Sequence, residues 1–313
     1  MSQPSQRSLR EYRRRINAVI DHIQRHLGED LAMEDLARVA HFSLWHFHRV
    51  FAAVTGETVQ AWIKRTRVQA AADRLTYDPD VPVTTVAYEL GFSSPSVLNR
   101  AFRDRFGCTP TQWRTGAQAA RTEDQALRTQ LQVWEHAMSD HGGSTPATSA
   151  QGSADMEPIT VQDLPAYRIA YLRHLGPYDH GPIGELWEEF SRWAGPRDLF
   201  GPGKLSFGIS HDNPEVTPPD RCRYDAGVEV PAGFTADGPV NLATLPAGKY
   251  AVLHVRCVPD AIGAQFGRLF GWLGANGWQP GNGPTYQRYG DDCQLDPVTG
   301  AMTCDICVPV RPL

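Results

Sequence analysis

The sequence predicts two domains, an all-α bundle carrying two helix-turn-helix units and then a duplicated α+β domain. Three observations carry this. Blocks within the first 115 residues repeat about fifty positions apart. Blocks after residue 155 repeat about eighty positions apart. A stretch rich in Gly, Ser, Thr and Ala separates the two pairs.

At 313 residues the chain suits two cores better than one. Apolar content of 41% and charged content of 21% are ordinary for a globular protein and speak against a disordered or fibrous class. No apolar run approaches the roughly 18–20 residues that span a bilayer. The basic N-terminus, MSQPSQRSLREYRRR, is followed by no apolar segment of the kind a secretory signal needs. Six scattered cysteines point to reduced thiols, so a cytoplasmic location without membrane attachment is expected. The formal charge of −5 is uneven, with residues 1–120 at +4 and the remainder at −9. That asymmetry assigns contact with a polyanion to the first half.

In the first half, Ala37, Phe42 and Ser43 recur as Ala87, Phe92 and Ser93. Arg49, Phe51, Gly56 and Trp62 recur fifty-one positions on as Arg100, Phe102, Gly107 and Trp113. Each copy reads as a helix, a tight turn, a second helix, then an aromatic-bearing helix. With residues 44–54 helical, Phe47, Val50, Phe51 and Val54 share one face, and Trp45, His48, Arg49 and Ala52 the other. In the second copy Leu98, Ala101, Phe102 and Arg105 turn inward while Ser96, Asn99, Arg100 and Arg103 turn out. Arg suits guanine O6 and N7, and Asn suits adenine N6 and N7, so such faces fit major-groove base edges. Solvated helix faces are the alternative for any one residue, and the duplication is what favours base reading. Residues 58–77 lack Pro and Gly and form a helix that bridges the units. A rigid bridge lets one chain address two major-groove faces about 34 Å apart.

LARVAHFSLWHFHRVFAAVTGETVQAWI and VAYELGFSSPSVLNRAFRDRFGCTPTQWR resemble the AraC/XylS transcription regulators over about residues 12–115. The resemblance implies a seven-helix domain over 8–116 that binds double-stranded DNA. It places Trp45, His48 and Arg49 on the first recognition helix, Ser96, Asn99 and Arg100 on the second, and Arg103 on a phosphate. It also implies an activator rather than a repressor, in contact with RNA polymerase. His41 stands where the family commonly has Gly. A residue with a Cβ is costly at positive φ, so a distorted first turn is expected.

Ala117–Met138 reads as a polar helix and Ser139–Asp155 as a flexible linker, making 117–155 the connection. After it, Leu164-Pro165-Ala166 recurs as Leu245-Pro246-Ala247, and Asp225, Val228 and Val230 as Asp305, Val308 and Val310. Each copy opens with a strand pattern (Tyr167–Leu172; Tyr250–Val255). A helical pattern follows: Leu186, Trp187, Phe190, Trp193, and then Phe266, Leu269, Phe270, Leu273.

The motifs HLGPYDHG, GPTYQRY and CDICVPV resemble the GyrI-like effector-binding domains, also found in Rob-like regulators, over 156–313. That resemblance implies two βαββ repeats sharing one curved antiparallel sheet. Its groove is expected to bind a hydrophobic small-molecule effector through Tyr178, Trp187, Phe207, Phe266, Tyr286 and Gln287. Many relatives carry Glu at the position of Gln287, where a carboxylate attracts cations or acts as a base. An amide does neither at neutral pH. Glu229 is the substitute carboxylate considered, set against an outward-facing strand position.

Cys304-x-x-Cys307 lies in an expected strand, where odd spacing sends the thiols to opposite faces, and no zinc-type ligand set accompanies it. No metal, cofactor or catalytic set is therefore expected. A GyrI-type hydrolase joined to a DNA-binding unit and a protein-interaction module remain the alternatives, and monomer and homodimer stay open.

Overall fold

The computed structural model describes residues 6–78, 80–117, 158–293, 296 and 298–313. The expected linker, and the polar helix beyond residue 117, lie outside these residues.

The first domain is helical. It consists of α1 (Gln6–Arg25), α2 (Met33–Val39), α3 (Leu44–Thr55), α4 (Val59–Tyr77), α5 (Val83–Glu89), α6 (Pro95–Phe106) and α7 over 110–117. The repeat is visible in the caps. Ser43 and Ser94 cap α3 and α6 through their hydroxyls, and both helices end on left-handed glycines, Gly56 at φ 74° and Gly107 at φ 71°. Helix α4 joins the units because it is buried in two cores. Trp62 and Ile63 pack with Ile16, Phe47 and Phe51, whereas Val68, Ala72 and Leu75 pack with Val86, Leu98 and Phe102.

The turns of the two units have the same geometry despite His41. Its φ is 53°, against 72° at Gly91, and both lie in the left-handed region. Phe42 N–H reaches Ala37 O at 3.0 Å, and Phe92 N–H reaches Ala87 O at 2.9 Å. An arginine steadies each turn through its carbonyl: Arg15 Nη1 donates to His41 O at 3.2 Å, and Arg67 Nη1 to Gly91 O at 2.8 Å. The expected distortion is absent because the hydrogen bonds impose the conformation and the exposed imidazole meets no obstacle. Gly91 has no such freedom, since a Cβ there would lie 2.6 Å from Arg67 Nη2 and 2.9 Å from Gly28 O.

The second domain is a curved antiparallel sheet with two helices. In chain order it contains β1 (Thr160–Leu164), β2 (Tyr167–Leu175), α8 (His180–Ala194), β3 (Ser206–Ser210), β4 (Arg223–Glu229), β5 (Asn241–Leu245) and β6 (Gly248–Cys257). Then follow α9 (Ile262–Ala275), β7 (Trp278–Pro280), β8 (Thr285–Tyr289) and β9 (Met302–Pro312). Strand order is β1-β6-β9-β8-β3-β4-β2-β5, with β7 paired to β9. The order is a palindrome of the duplication, because exchanging each strand for its repeat partner returns the same sheet read backwards. The opening strands are swapped: β1 pairs with β6 of the second repeat, and β5 with β2 of the first. The repeats meet where β3 pairs with β8, Gly208 opposite Gln287.

Alternation along the strands divides the side chains. Tyr167, Tyr171, Phe207, Tyr250, Tyr286 and Cys307 fill one face. On the other, α8 covers Ala170, Ala226 and Val228, and α9 covers Leu253, Cys304 and Ile306. Cys304 and Cys307 thus lie on opposite faces of β9.

The helical domain docks against the tyrosine-bearing end of the sheet. Arg173 of β2, 1% exposed, bonds Asp225 of β4 through Nε at 2.7 Å and Asp21 of α1 through Nη1 at 2.8 Å. Tyr171 donates its hydroxyl to Asp21 as well. Beside them Arg223 bonds Asp212 at 2.8 Å and Gln24 of α1 at 3.2 Å. Arg221 donates to Thr55 O, and Arg105 Nη2 to Val216 O at 3.0 Å. Arg105, expected on the inward face of α6, therefore reaches across to the second domain.

Two expectations follow from these arrangements. Gly91→Ala should lower the unfolding free energy by at least ~1–2 kcal/mol for the left-handed conformation, whereas His41→Gly should leave it unchanged or higher, both read by urea unfolding. Burial raises the Asp225 carboxyl, but Arg173 and His211 outweigh that and hold it far below the usual carboxylate range. Such a group stabilises the fold fully above its unfolded pKa of about 3.9, and the contribution fades as pH falls toward the folded value. Asp225→Asn should cost about 3–5 kcal/mol at pH 7 by uncovering Arg173. The variant should also lose less stability than the natural chain between pH 5 and pH 3, in the same assay.

Candidate functional site

Two surfaces emerge. The first consists of the outward faces of α3 and α6. Trp45, His48 and Arg49 are exposed on α3, and Ser96, Arg100 and Arg103 on α6, with Asn99 half-buried between them. Trp45 is 68% exposed, unusual for a large ring, and Arg49 stacks on it with its guanidinium carbon 4.5 Å from the ring centroid. Both helices are held from behind by buried Phe47 and Phe51, and by Leu98 and Phe102. A rigid apolar back therefore presents a polar, cationic front in each unit. The second domain docks through α1, the C-terminal ends of α3 and α4, and Arg105, which leaves both fronts uncovered.

The second surface is a groove of about 1400 Å³ that runs between α8 and α9 over the β3–β8 junction. Tyr178, Trp187, Phe266 and Gln287 line it. Phe207 and Tyr286, expected there, do not. They are fully buried on the opposite face, packed on Tyr167 and Tyr250, because each is one strand residue away from a groove-facing position. Tyr224 and Tyr289 take their place, and the latter was legible as the same-face neighbour of Gln287 two residues on. Glu229 lies on the far face with Asp225 and contributes no charge to the groove.

Gln287 sits at the floor of this groove, 8% exposed. Its Oε1 accepts from the Tyr289 hydroxyl at 2.9 Å and lies 3.5 Å from the Tyr224 hydroxyl, which in turn accepts from Trp187 Nε1 at 3.2 Å. Burial raises both phenols, so they stay neutral donors. Gly208 makes room for this chain, since a Cβ there would lie 2.2 Å from Tyr224 Oη and 2.6 Å from Gln287 Oε1. The amide oxygen is thus engaged by hydroxyls and does not act as a base.

One wall of the groove was not legible at all. Asp73, Thr76 and Tyr77 of α4 and Trp113 of α7 belong to the helical domain, yet they line the same space. Tyr77 stacks on Phe270 of α9 at 5.3 Å, Trp113 donates to Thr76 Oγ1 at 2.9 Å, and Asp73 Oδ1 accepts from Asn213 Nδ2 at 3.3 Å. Burial, partly offset by the Asn213 bond, raises the Asp73 carboxyl to about 7. Among the described residues, no cluster of His, Cys, Asp and Glu could hold a metal ion, and no helix is long and apolar enough to cross a membrane.

Comparison with known proteins places both halves. The GyrI-like small molecule binding domain family matches residues 157–311, and a helix-turn-helix domain family matches 36–116. The Bacillus subtilis protein named "SPbeta prophage-derived putative transcriptional regulator YosT" is 32% identical over 153 residues, 49% of this chain and 99% of its own. The HTH-type transcriptional activator RclR of Escherichia coli, described as specific for RCS, is 35% identical over 32% of this chain and 35% of its own length. Only about a third of that activator is therefore spanned. The transcriptional regulator Rob of Salmonella typhimurium is 24% identical over 74% of each chain. The protein belongs to the GyrI-like small molecule binding family through its C-terminal half and joins it to an AraC-type helix-turn-helix domain, the pairing of a DNA-binding transcription regulator.

Proposed function

We propose that the exposed fronts of α3 and α6 read operator DNA, and that a hydrophobic aromatic effector in the groove alters that reading. The duplicated front carries the proposal: two helices, each backed by buried aromatics, present Arg, Asn, His and Ser in matching places. In this reading Arg49, Asn99 and Arg100 contact base edges, with Trp45, His48 and Ser96 beside them, and Arg103 meets a phosphate. The chain acts inside the cytoplasm as an activator in contact with RNA polymerase, and is not an enzyme. The groove suits a sensor because aromatic rings line it and the amide at its floor is engaged by tyrosine hydroxyls.

Arg100→Ala should weaken binding to an operator selected from random duplexes by about 1–3 kcal/mol, roughly ten- to hundredfold, and relax the preference at one base pair. Arg103→Ala should instead weaken all sequences alike and reduce the salt slope by about one. Fluorescence anisotropy across a salt series separates the two, and an unchanged base preference in Arg100→Ala removes that residue from base reading. Titration of the full chain with lipophilic aromatics should quench tryptophan fluorescence saturably, and mass spectrometry should recover the ligand unchanged. Recovery of a converted product would replace the sensor by the hydrolase reading.

A further inference from the structure

We infer that the effector site is completed by the DNA-binding half, with Asp73 of α4 supplying the carboxylate that a lipophilic aromatic cation meets in the groove. The inference rests on the reading of the groove as a ligand site and adds its missing wall. Aromatic rings from both halves border the cavity, Trp187, Tyr289 and Phe266 from one and Tyr77 and Trp113 from the other. Five carboxylates, Asp73, Asp179, Asp212, Glu215 and Asp260, line it, and no Lys or Arg among the described residues does. Asp212 is neutralised by Arg223 at 2.8 Å. Among the described residues Asp73 has no cationic partner and accepts from the neutral amide of Asn213 at 3.3 Å, so its charge is one that a cation in the groove would complement. Rings and a carboxylate together form the environment that holds an aromatic cation by stacking, cation–π contact and charge.

A ligand seated there touches both domains at once. Asn213, Glu215 and Val216 line the groove, and the Val216 carbonyl is the one Arg105 of recognition helix α6 holds at 3.0 Å. The ligand's affinity therefore depends on how α4 and α6 are docked, and by linkage ligand binding shifts that docking. With an amide at Gln287, the groove still holds negative groups from other elements.

The test uses the full chain with two probes, tetraphenylphosphonium and its neutral relative triphenylphosphine oxide, followed by calorimetry. Asp73→Asn should bind the cation at least tenfold more weakly and the neutral probe unchanged. Asparagine keeps a partner for Asn213 and removes a carboxylate that burial disfavours, so the variant should melt no lower than the natural chain. Trp187→Ala should weaken both probes. Hydrogen exchange should show protection on cation binding in residues 71–77 as well as in α8 and α9. If Asp73→Asn binds the cation normally while Trp187→Ala weakens both probes, the groove is a ligand site of the second domain alone and this inference falls. If the natural chain binds neither probe, the groove reading falls, and the inference with it.

Discussion

Arg173 lies out of water between two carboxylates, Asp225 from the neighbouring strand and Asp21 from the first helix of the other domain. A guanidinium with so little exposure requires both partners, because its lost hydration must be replaced by charge and directed hydrogen bonds. Tyr171 and His211 complete the cluster, the first donating to Asp21 and the second lying 2.6 Å from Asp225. The relative position of the two domains depends on this cluster. Arg223, held by Asp212 and reaching Gln24, repeats the device one pair of strands along.

Docking fixed at that point has consequences at both ends of the molecule. Near the cluster it sets α1 against the sheet, where Asn241 also donates to Arg14 O at 2.9 Å. Farther away it lays the end of α4 over the groove, with Tyr77 on Phe270 and Asp78 paired to Arg311 at 2.9 Å. The exposed fronts of α3 and α6 stay clear, since these contacts use other helix faces. The same rigid α4 that spaces the two helix-turn-helix units thus forms a wall of the groove.

The duplication explains the groove's shape. Two ββαββ repeats that exchange their opening strands meet at a central antiparallel pair, and there the helices of the two repeats stand apart over β3 and β8. Gly208 keeps that junction low enough for Tyr224 and Gln287 to lie across it. On the reverse face the same junction is filled by Phe207 and Tyr286. A groove and a closed aromatic core are therefore two sides of one strand pair.

Local pattern by itself determined the two-domain plan, both duplications, the helices α3 and α6 and, Asn99 and Arg105 apart, which of their residues point outward. These follow from periodicity and capping chemistry, which act over a few residues and repeat where the sequence repeats. The motif resemblance placed Trp187, Phe266 and Gln287 near one groove, but it erred by one strand residue at Phe207 and Tyr286, where alternation alone reverses the face. Only the tertiary structure decided that His41 keeps the turn of Gly91, since long-range hydrogen bonds impose the conformation. It alone brought Asp73 and Trp113 to a cavity built mainly by residues of the other domain, because docking runs through contacts such as Asp21–Arg173–Asp225, whose partnership no local spacing encodes.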